Sequence, residues 1–111
     1  MEDNMQVEAF TLILHAGNAK SSIMEAIEFS NEGNDEMVDE KLKEANEELS
    51  LAHQMQTDLL TKMANGEDVP VDILMVHAQD HLSNAILIND LAKQLIYMQK
   101  EIRELKGKIH E

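Results

Sequence analysis

Apolar residues recur at steps of three and four along three segments of the chain, which is the spacing of one face of a helix. The first segment runs from about residue 5 to 31, and its predicted inner face carries Val7, Phe10, Leu14, Ile23 and Ile27. The second segment ends near Asn65, and its apolar stripe is Val38, Leu42, Ala45, Leu49, Ala52, Leu59 and Met63. A third segment fills most of the remaining chain. The pattern therefore predicts three helices and no strand.

The predicted helix ends lie where residues suited to turns occur. The connection after the first helix reads NEGND, and either Asn34 or Asp35 can cap the second helix through a side-chain oxygen. Gly66 suits the left-handed conformation that ends helices. Pro70 fits the first turn of the third helix, where its missing N–H is not needed, and Gly107 is the next strong breaker. The third helix is thus predicted to be about 35 residues long.

Two short connections favour an all-α fold, an antiparallel three-helix bundle with a long third helix, in a single domain over residues 1–111. The composition agrees, since the chain has one proline, three aromatic residues in all and eight methionines. Gly17 interrupts the first helix. A glycine there costs ~1 kcal/mol relative to alanine, and it is tolerated where two helices or a partner approach closely.

The third helix carries more apolar surface than one bundle can cover. Eleven of the seventeen residues from Leu82 to Met98 are apolar, including the run Ile86-Leu87-Ile88. A surface helix needs only one apolar stripe. We therefore expect the chain to self-associate along this helix; the alternative is a thick core ridge in a monomer.

Charge and cysteine content narrow the class of protein. The chain has 22 acidic and 9 basic residues, and residues 1–72 hold 17 of the acids but only 4 of the bases. Such a surface repels nucleic acid and anionic membranes, and it favours a basic protein partner or none. The chain has no cysteine, which excludes disulfides and thiol chemistry and fits a reducing compartment. The acidic start lacks the basic region of a signal peptide, and no apolar run reaches ~20 residues, so we expect a cytoplasmic protein without membrane insertion.

Candidate chemistry is concentrated in the stretch MVHAQDHLSNAILI, where His77, Asp80 and His81 fall within about one helical turn. His77 and His81 lie about 40° apart around the helix, and His77 and Asp80 about 60°. The two histidines could share a metal, but Ala78 stands where a zinc protease of the HExxH type has its glutamate base. From the spacing alone the cluster could bind a metal, move a proton, carry a phosphoryl group or only pack. We interpret His15, His53 and His110 as ordinary surface or core residues.

Three stretches of the chain resemble one family. HAQDHL resembles the active-site motif of the lactose/cellobiose (N,N'-diacetylchitobiose) type of enzyme IIA of the bacterial sugar phosphotransferase system. LILHAGNAKSSIMEAIE resembles that family's first helix, and EANEELSLAHQMQTDLL its second. The departures are mild: Ser83 stands where the family often has methionine, and NDEMVDEKL lacks the usual alanine spacing.

The resemblance implies a function and a set of site residues. In this family the histidine that opens the motif accepts a phosphoryl group from phospho-HPr and passes it to a cysteine of enzyme IIB; it corresponds to His77. The family's metal-ligating aspartate corresponds to Asp80, and Gln79 and His81 are expected neighbours of the phosphoryl group. The resemblance also implies a homotrimer with one Mg²⁺ on its threefold axis, and uptake of a β-linked disaccharide.

Physical chemistry is compatible with these roles. Imidazole is a nucleophile suited to labile phosphoryl transfer. One carboxylate per chain cannot hold a divalent ion alone, but three copies of Asp80 on an axis can, and the ion would relieve their repulsion. The alternatives are that Asp80 pairs with a lysine, and that the chain is a catalytically idle helical interaction or regulatory domain that kept the fold.

Overall fold

The computed structural model describes residues 2–109, and the side chains of residues 5–109. It contains three helices, α1 (Glu2–Asn31), α2 (Asp35–Ala64) and α3 (Ile73–Ile109). No strand occurs within residues 2–109, so the prediction of an all-helical fold with three helices is confirmed.

The α1–α2 turn follows the sequence prediction closely. Asn34 caps α2, because its Oδ1 accepts a hydrogen bond from the backbone N–H of Met37 at 3.2 Å. Gly33 has a φ of 78°, which side-chain-bearing residues rarely adopt. Arg103 of α3 packs over this glycine and donates to Asp35 at 3.0 Å. The turn is therefore tied to the far end of α3.

The start of α3 differs from the prediction. Asp72 is its capping residue: the Asp72 Oδ1 accepts from the N–H of Met75 at 2.9 Å, and its carbonyl accepts from Val76 at 3.1 Å. Pro70 lies before this cap, so its predicted place in the first turn was wrong. A carboxylate that satisfies free N–H groups and faces the positive helix end starts a helix better than proline does here. Gly107 does not end α3 either, since the helix continues to Ile109.

α1 is the central helix of the bundle. It packs extensively against both α2 and α3, whereas α2 and α3 touch each other little. One core cluster joins the beginning of α1, the end of α2 and the beginning of α3. α2 is therefore antiparallel to the other two helices, and α1 and α3 run parallel to each other. The resulting rod measures 65 × 21 × 20 Å.

Small residues fill much of the buried seam. On α1 the seam consists of Ala9, Leu12, Ala16, Ala19, Ile23, Ala26 and Ser30, with Ser22 also buried beside it. On α3 they are Met75, Ala78, Leu82, Ala85, Asn89, Ala92 and Ile96. Both series alternate steps of three and four, an average period of 3.5, which is the pattern of left-handed coiled-coil packing. The alanines let the helix axes approach closely.

This seam corrects the predicted inner faces. Val7, Phe10 and Leu14 were expected inside, but 63%, 59% and 59% of their surfaces are exposed. The inner face of α1 is instead the alanine-rich series, because a helix that packs closely against two neighbours needs small side chains at most of its contact positions. Most of the predicted α2 stripe is buried or half-buried, but Met63 is exposed. Gly17 has no atom within 4 Å of a Cβ built on it, so the described chain contains no close approach there.

α3 carries a second apolar face that nothing in residues 2–109 covers. Its exposed members are Ile73, Leu87, Leu91, Leu95, Met98, Ile102, Leu105 and Ile109. We call these residues the α3 stripe. At 100° per residue they fall within about 40° of one line along the helix, opposite the buried seam. Ile96, one of the eleven apolar residues between Leu82 and Met98, is buried in the seam and does not belong to this surface. Of the described helices, none combines the length and the apolar character needed to cross a membrane.

Candidate functional site

The central feature of the site is a pair of histidines on successive turns of α3. His77 is exposed and His81 half-buried. Their Nε2 atoms lie 3.1 Å apart, and the ring planes meet nearly edge to face at 87°. A spacing of four residues brings the two rings to the same side of the helix. The predicted juxtaposition of these two side chains is therefore present.

The contact between the rings restricts which tautomers the two imidazoles can adopt. A hydrogen bond between two neutral imidazoles requires that one Nε2 carries the proton and that the other offers its lone pair. The accepting ring is a nucleophile with a proton donor beside it. The exposed ring, His77, is the one that an incoming group can reach. This arrangement suits the transfer of an electrophilic group such as phosphoryl.

Asp80 lies on the line of the α3 stripe, near its N-terminal end. Its side chain is exposed, and it forms no ion pair with any lysine or arginine among residues 5–109. The alternative in which Asp80 pairs with a lysine therefore finds no support in this part of the chain. Within these same residues no three histidine or acidic side chains come together as a metal site. At this position one chain thus offers a metal ion only one carboxylate, that of Asp80.

Gln79 turns away from the histidines. Its Oε1 accepts a hydrogen bond from the Nε2 of Gln56 on α2 at 2.6 Å, and its own Nε2 contacts the sulfur of Met75 at 3.8 Å. Gln79 and His77 lie about 160° apart around α3. On one chain, therefore, Gln79 does not join the His77–His81 pair.

Apolar surfaces flank the histidines on both sides of α3. Ala9 and Leu12 of α1 share a core cluster with Ala78 and Leu82, so the exposed Val7, Phe10 and Leu14 lie at the same level as the histidines. On the α2 side a cleft of about 320 Å³ is lined by Gln56, Leu59, Leu60, Met63, Val69, Val71, Met75, Val76 and Gln79. The sequence pattern missed both surfaces because it assigned Val7, Phe10, Leu14 and Met63 to the core. Their size, too large for an alanine-rich seam, was the available signal.

The remaining histidines lie elsewhere. The Nδ1 of His15 is 2.6 Å from an oxygen of Glu48, which links α1 to α2 in a half-buried pair. His53 is exposed on α2. His110 lies outside the described residues. The interpretation of His15 and His53 as ordinary core-edge and surface residues agrees with these positions.

Comparison with known proteins identifies the family. Residues 7–100 match the family described as PTS system, Lactose/Cellobiose specific IIA subunit. The chain is 45% identical over 107 residues to the lichenan-specific phosphotransferase enzyme IIA component of Bacillus subtilis, covering 96% of this chain and 97% of that one. It is 37% identical over 99 residues to the lactose-specific EIIA component of Staphylococcus epidermidis, covering 89% and 95%. The chain belongs to the lactose/cellobiose-specific IIA family of the phosphotransferase system.

A solved structure agrees with this assignment. The cellobiose-specific enzyme IIA from Bacillus anthracis superimposes with a TM-score of 0.87 at 39% sequence identity, over 90% of this chain and 92% of that chain. The resemblance inferred from HAQDHL is thus confirmed, and the protein is an enzyme IIA component of a sugar phosphotransferase system. Relatives named for lichenan, galactose, lactose and cellobiose all match, so the family does not specify the sugar.

Proposed function

We propose that this protein is a phosphocarrier that accepts a phosphoryl group from phospho-HPr on His77 and donates it to the cysteine of enzyme IIB. The observation that carries the proposal is the exposed His77 ring, with the Nε2 of His81 at 3.1 Å, in a member of the IIA family. In the first step the N–P bond of phospho-HPr breaks as the ring nitrogen of His77 forms a new N–P bond. In the second step the cysteine thiolate takes the phosphoryl group and the His77 imidazole leaves.

His81 is the proposed proton donor to the phosphoryl oxygens. When His77 is phosphorylated at the nitrogen that faces His81, the lone pair of that nitrogen forms the N–P bond. This nitrogen then no longer accepts a hydrogen bond from His81. The N–H of His81 then faces phosphoryl oxygens, which are stronger acceptors. Such electrostatic stabilisation is the main contribution that a protein makes to phosphoryl transfer. Because Gln79 points to α2, its predicted role at the phosphoryl group requires the Gln79 of a neighbouring copy or a turned side chain.

The proposed working form is a homotrimer packed through the α3 stripe. Eight large apolar residues on one exposed line are what a helix needs to pack against copies of itself. Each large aliphatic side chain that becomes buried contributes ~1.5–3 kcal/mol. Three symmetric copies of the stripe would bring the three Asp80 side chains together at one end of the axis.

Asp80 is the proposed ligand of one Mg²⁺ per trimer. Its carboxylate is exposed, free of ion pairs within residues 5–109 and in line with the stripe, so its chemistry fits a hard divalent cation once three copies meet. The ion would neutralise the three carboxylates. No step of the phosphoryl transfer depends on it.

The proposed substrate of the whole system is a β-linked disaccharide of the lactose, cellobiose or chitobiose type, and the proposed compartment is the cytoplasm. Two of the matching relatives are named for lactose and cellobiose. HPr and enzyme IIB are the proposed protein partners, and no nucleic acid takes part. The acidic half of the chain would attract basic patches on these partners.

The proposal is tested by phosphorylation in a purified system. The protein is incubated with phosphoenolpyruvate, enzyme I and HPr, and its intact mass is followed. Wild type should gain one phosphoryl group per chain, His77→Ala none, and His81→Ala should gain it more slowly. His53→Ala is the matched control, because His53 is also an exposed helical histidine. Labelling of His77→Ala at the wild-type rate would overturn the assignment of the nucleophile.

The same experiment distinguishes the phosphocarrier from the second candidate function, an idle interaction or regulatory domain. It predicts no mass increase in any variant. The intact His77–His81 contact favours the phosphocarrier, because a domain that had lost the chemistry would not need both rings.

A further inference from the structure

The two histidines on α3 are spaced like two ligands of one metal ion. Their Nε2 atoms lie 3.1 Å apart on adjacent turns of the helix. Zinc binds imidazole nitrogen at about 2.0–2.1 Å, so two nitrogens on one ion are roughly 2.9 Å apart at a right angle and roughly 3.4 Å apart in a tetrahedron. The separation of the His77 and His81 nitrogens falls between these two values.

The surroundings of the pair leave both nitrogens accessible to an ion. His77 is exposed and His81 is half-buried. Within residues 5–109 no carboxylate pairs with either ring, whereas the Nδ1 of His15 is 2.6 Å from an oxygen of Glu48. An incoming ion therefore has to replace only the contact between the two rings themselves.

The nature of the two donors decides which ions they bind. Imidazole nitrogen suits Zn²⁺, Cu²⁺ and Ni²⁺, whereas Mg²⁺ prefers oxygen ligands. Two rings on one rigid helix act as a chelate, because the second ligand is already near the ion when the first has bound. The exposed His53 has no such partner, since Leu49 and Thr57 stand four residues before and after it.

We propose that His77 and His81 bind one Zn²⁺ or a similar transition-metal ion per chain, and that this ion blocks phosphoryl transfer. Water completes the coordination, because no third histidine or acidic side chain joins the pair within residues 5–109. The ring that carries its proton on Nε2 changes to the Nδ1–H tautomer, so both Nε2 lone pairs face the ion and no proton is released.

The ion and the phosphoryl group compete for the same lone pair. The His77 nitrogen that binds the metal is the one that would attack phosphorus, so the bound ion and the new N–P bond exclude each other. This site is separate from the Mg²⁺ proposed at Asp80, which needs oxygen donors from three copies. The metal site follows from the geometry of the pair, but its inhibitory effect rests on the proposed phosphocarrier function.

Binding is tested by isothermal titration of chelator-treated, dialysed protein with Zn²⁺ in excess Mg²⁺. Wild type should take up one Zn²⁺ per chain, and Mg²⁺ should not displace it. His77→Ala and His81→Gln should each weaken binding at least about tenfold, since a single imidazole remains. His53→Ala is the matched control and should bind like wild type. Equal affinity in wild type and His81→Gln would overturn the site and mean that single side chains bind the metal adventitiously.

Inhibition is tested by transfer from phospho-HPr that has been prepared beforehand and separated from enzyme I. At a Zn²⁺ concentration about ten times the measured dissociation constant, the wild-type rate should fall about tenfold, because only about a tenth of the chains remain free of metal. A chelator should restore the rate. His81→Gln should be phosphorylated at a rate that the same Zn²⁺ concentration changes little, and this variant also controls for effects of Zn²⁺ on HPr.

The outcomes separate the metal site from the phosphocarrier function. Equal slowing of wild type and His81→Gln would overturn the inhibitory role of the histidine pair. If metal-free wild type accepted no phosphoryl group, the proposed phosphocarrier function would fail, and the titration would still decide whether the pair binds Zn²⁺.

Discussion

The buried and the exposed face of α3 differ in side-chain size, and the exposed face carries the larger share of large apolar residues. The buried seam has an alanine at every second position, with Ala78, Ala85 and Ala92 at three of its seven positions. The exposed α3 stripe consists of leucine, isoleucine and methionine. Close contact with α1 is made at the alanine positions, so the seam holds fewer large side chains than the exposed stripe does. The distance between the helix axes thus decides which residues are buried within one chain. Large exposed apolar residues indicate a surface that binds another protein or another copy of the chain.

α1 repeats this contrast beside the histidines. Its buried positions include Ala9 and Ala16, whereas Val7, Phe10 and Leu14 point outwards at the level of His77. The cleft on the α2 side is lined by Gln79, which lies about 160° around α3 from His77. A protein that docks at His77 therefore meets the exposed apolar side chains of α1.

The largest expected effect comes from charging the exposed face. Leu91→Glu should convert the proposed trimer to monomers, because it would place three carboxylates where apolar side chains pack. The helix content measured by circular dichroism should stay unchanged. Sedimentation equilibrium at micromolar concentration measures the mass. Thr57→Glu, the same added charge at an exposed position of α2, should remain trimeric. A monomeric wild type would refute the stripe as an interface.

Truncating one residue on each face should separate folding from assembly. Leu82 is fully buried, so Leu82→Ala should lower the free energy of unfolding by roughly 2–5 kcal/mol. Leu91 is 54% exposed in the chain, so Leu91→Ala should act only through assembly. In urea unfolding, the loss in Leu82→Ala should therefore be independent of protein concentration, and that in Leu91→Ala should vanish on dilution. Equal, concentration-independent losses in the free energy of unfolding would mean that both residues stabilise the single chain and that Leu91 does not act through assembly.

A smaller effect is expected from Asp80, the one acidic residue in line with the stripe near the histidines. Asp80→Leu should leave a trimer at least as stable as wild type and indifferent to chelators, because the apolar side chain removes both the repulsion and the need for an ion. Chelation of wild type should weaken the trimer without dissolving it. Sedimentation equilibrium with and without chelator distinguishes these cases. Dissociation of the Asp80→Leu trimer would contradict this account of the ion.

The smallest effect should come from contacts that belong to neither face of α3. Lys41 of α2 lies 3.3 Å from both Glu44 and Glu25, the latter on α1. Hydrogen bonds to Glu44 and then Glu25 raise the pKa of Lys41 above its usual value of 10.5. Because the pKa is higher in the folded state, the stabilisation is fully present below pH 10.5 and is lost as the pH rises through the raised value.

Urea unfolding of Lys41→Met against wild type checks this contribution. The difference between the two proteins should be slight at neutral pH and disappear in strong alkali. Lys43→Met, a neighbouring exposed lysine, is the control. A difference in unfolding free energy that grew as the pH rose above 10.5 would show that the ion pairs do not raise the pKa of Lys41.

Local patterns in the chain were enough to establish the number of helices, the α1–α2 turn and the family. Periodicity, the cap at Asn34 and the glycine before it are local features, and interactions between near neighbours in the chain decide them. The spacing of His77 and His81 likewise places the two rings on the same side of α3, since four residues make about one turn. HAQDHL was specific enough to indicate the family.

Packing between the helices, in contrast, decided which apolar face of each helix is buried. Val7, Phe10 and Leu14 fit a helical stripe as well as Ala9, Leu12 and Ala16 do, and period alone cannot choose between two apolar faces. The choice depends on the distance between helix axes, which is a property of the packed bundle. For the same reason the direction of Gln79 and the burial of Ile96 and Asn89 became apparent only in three dimensions.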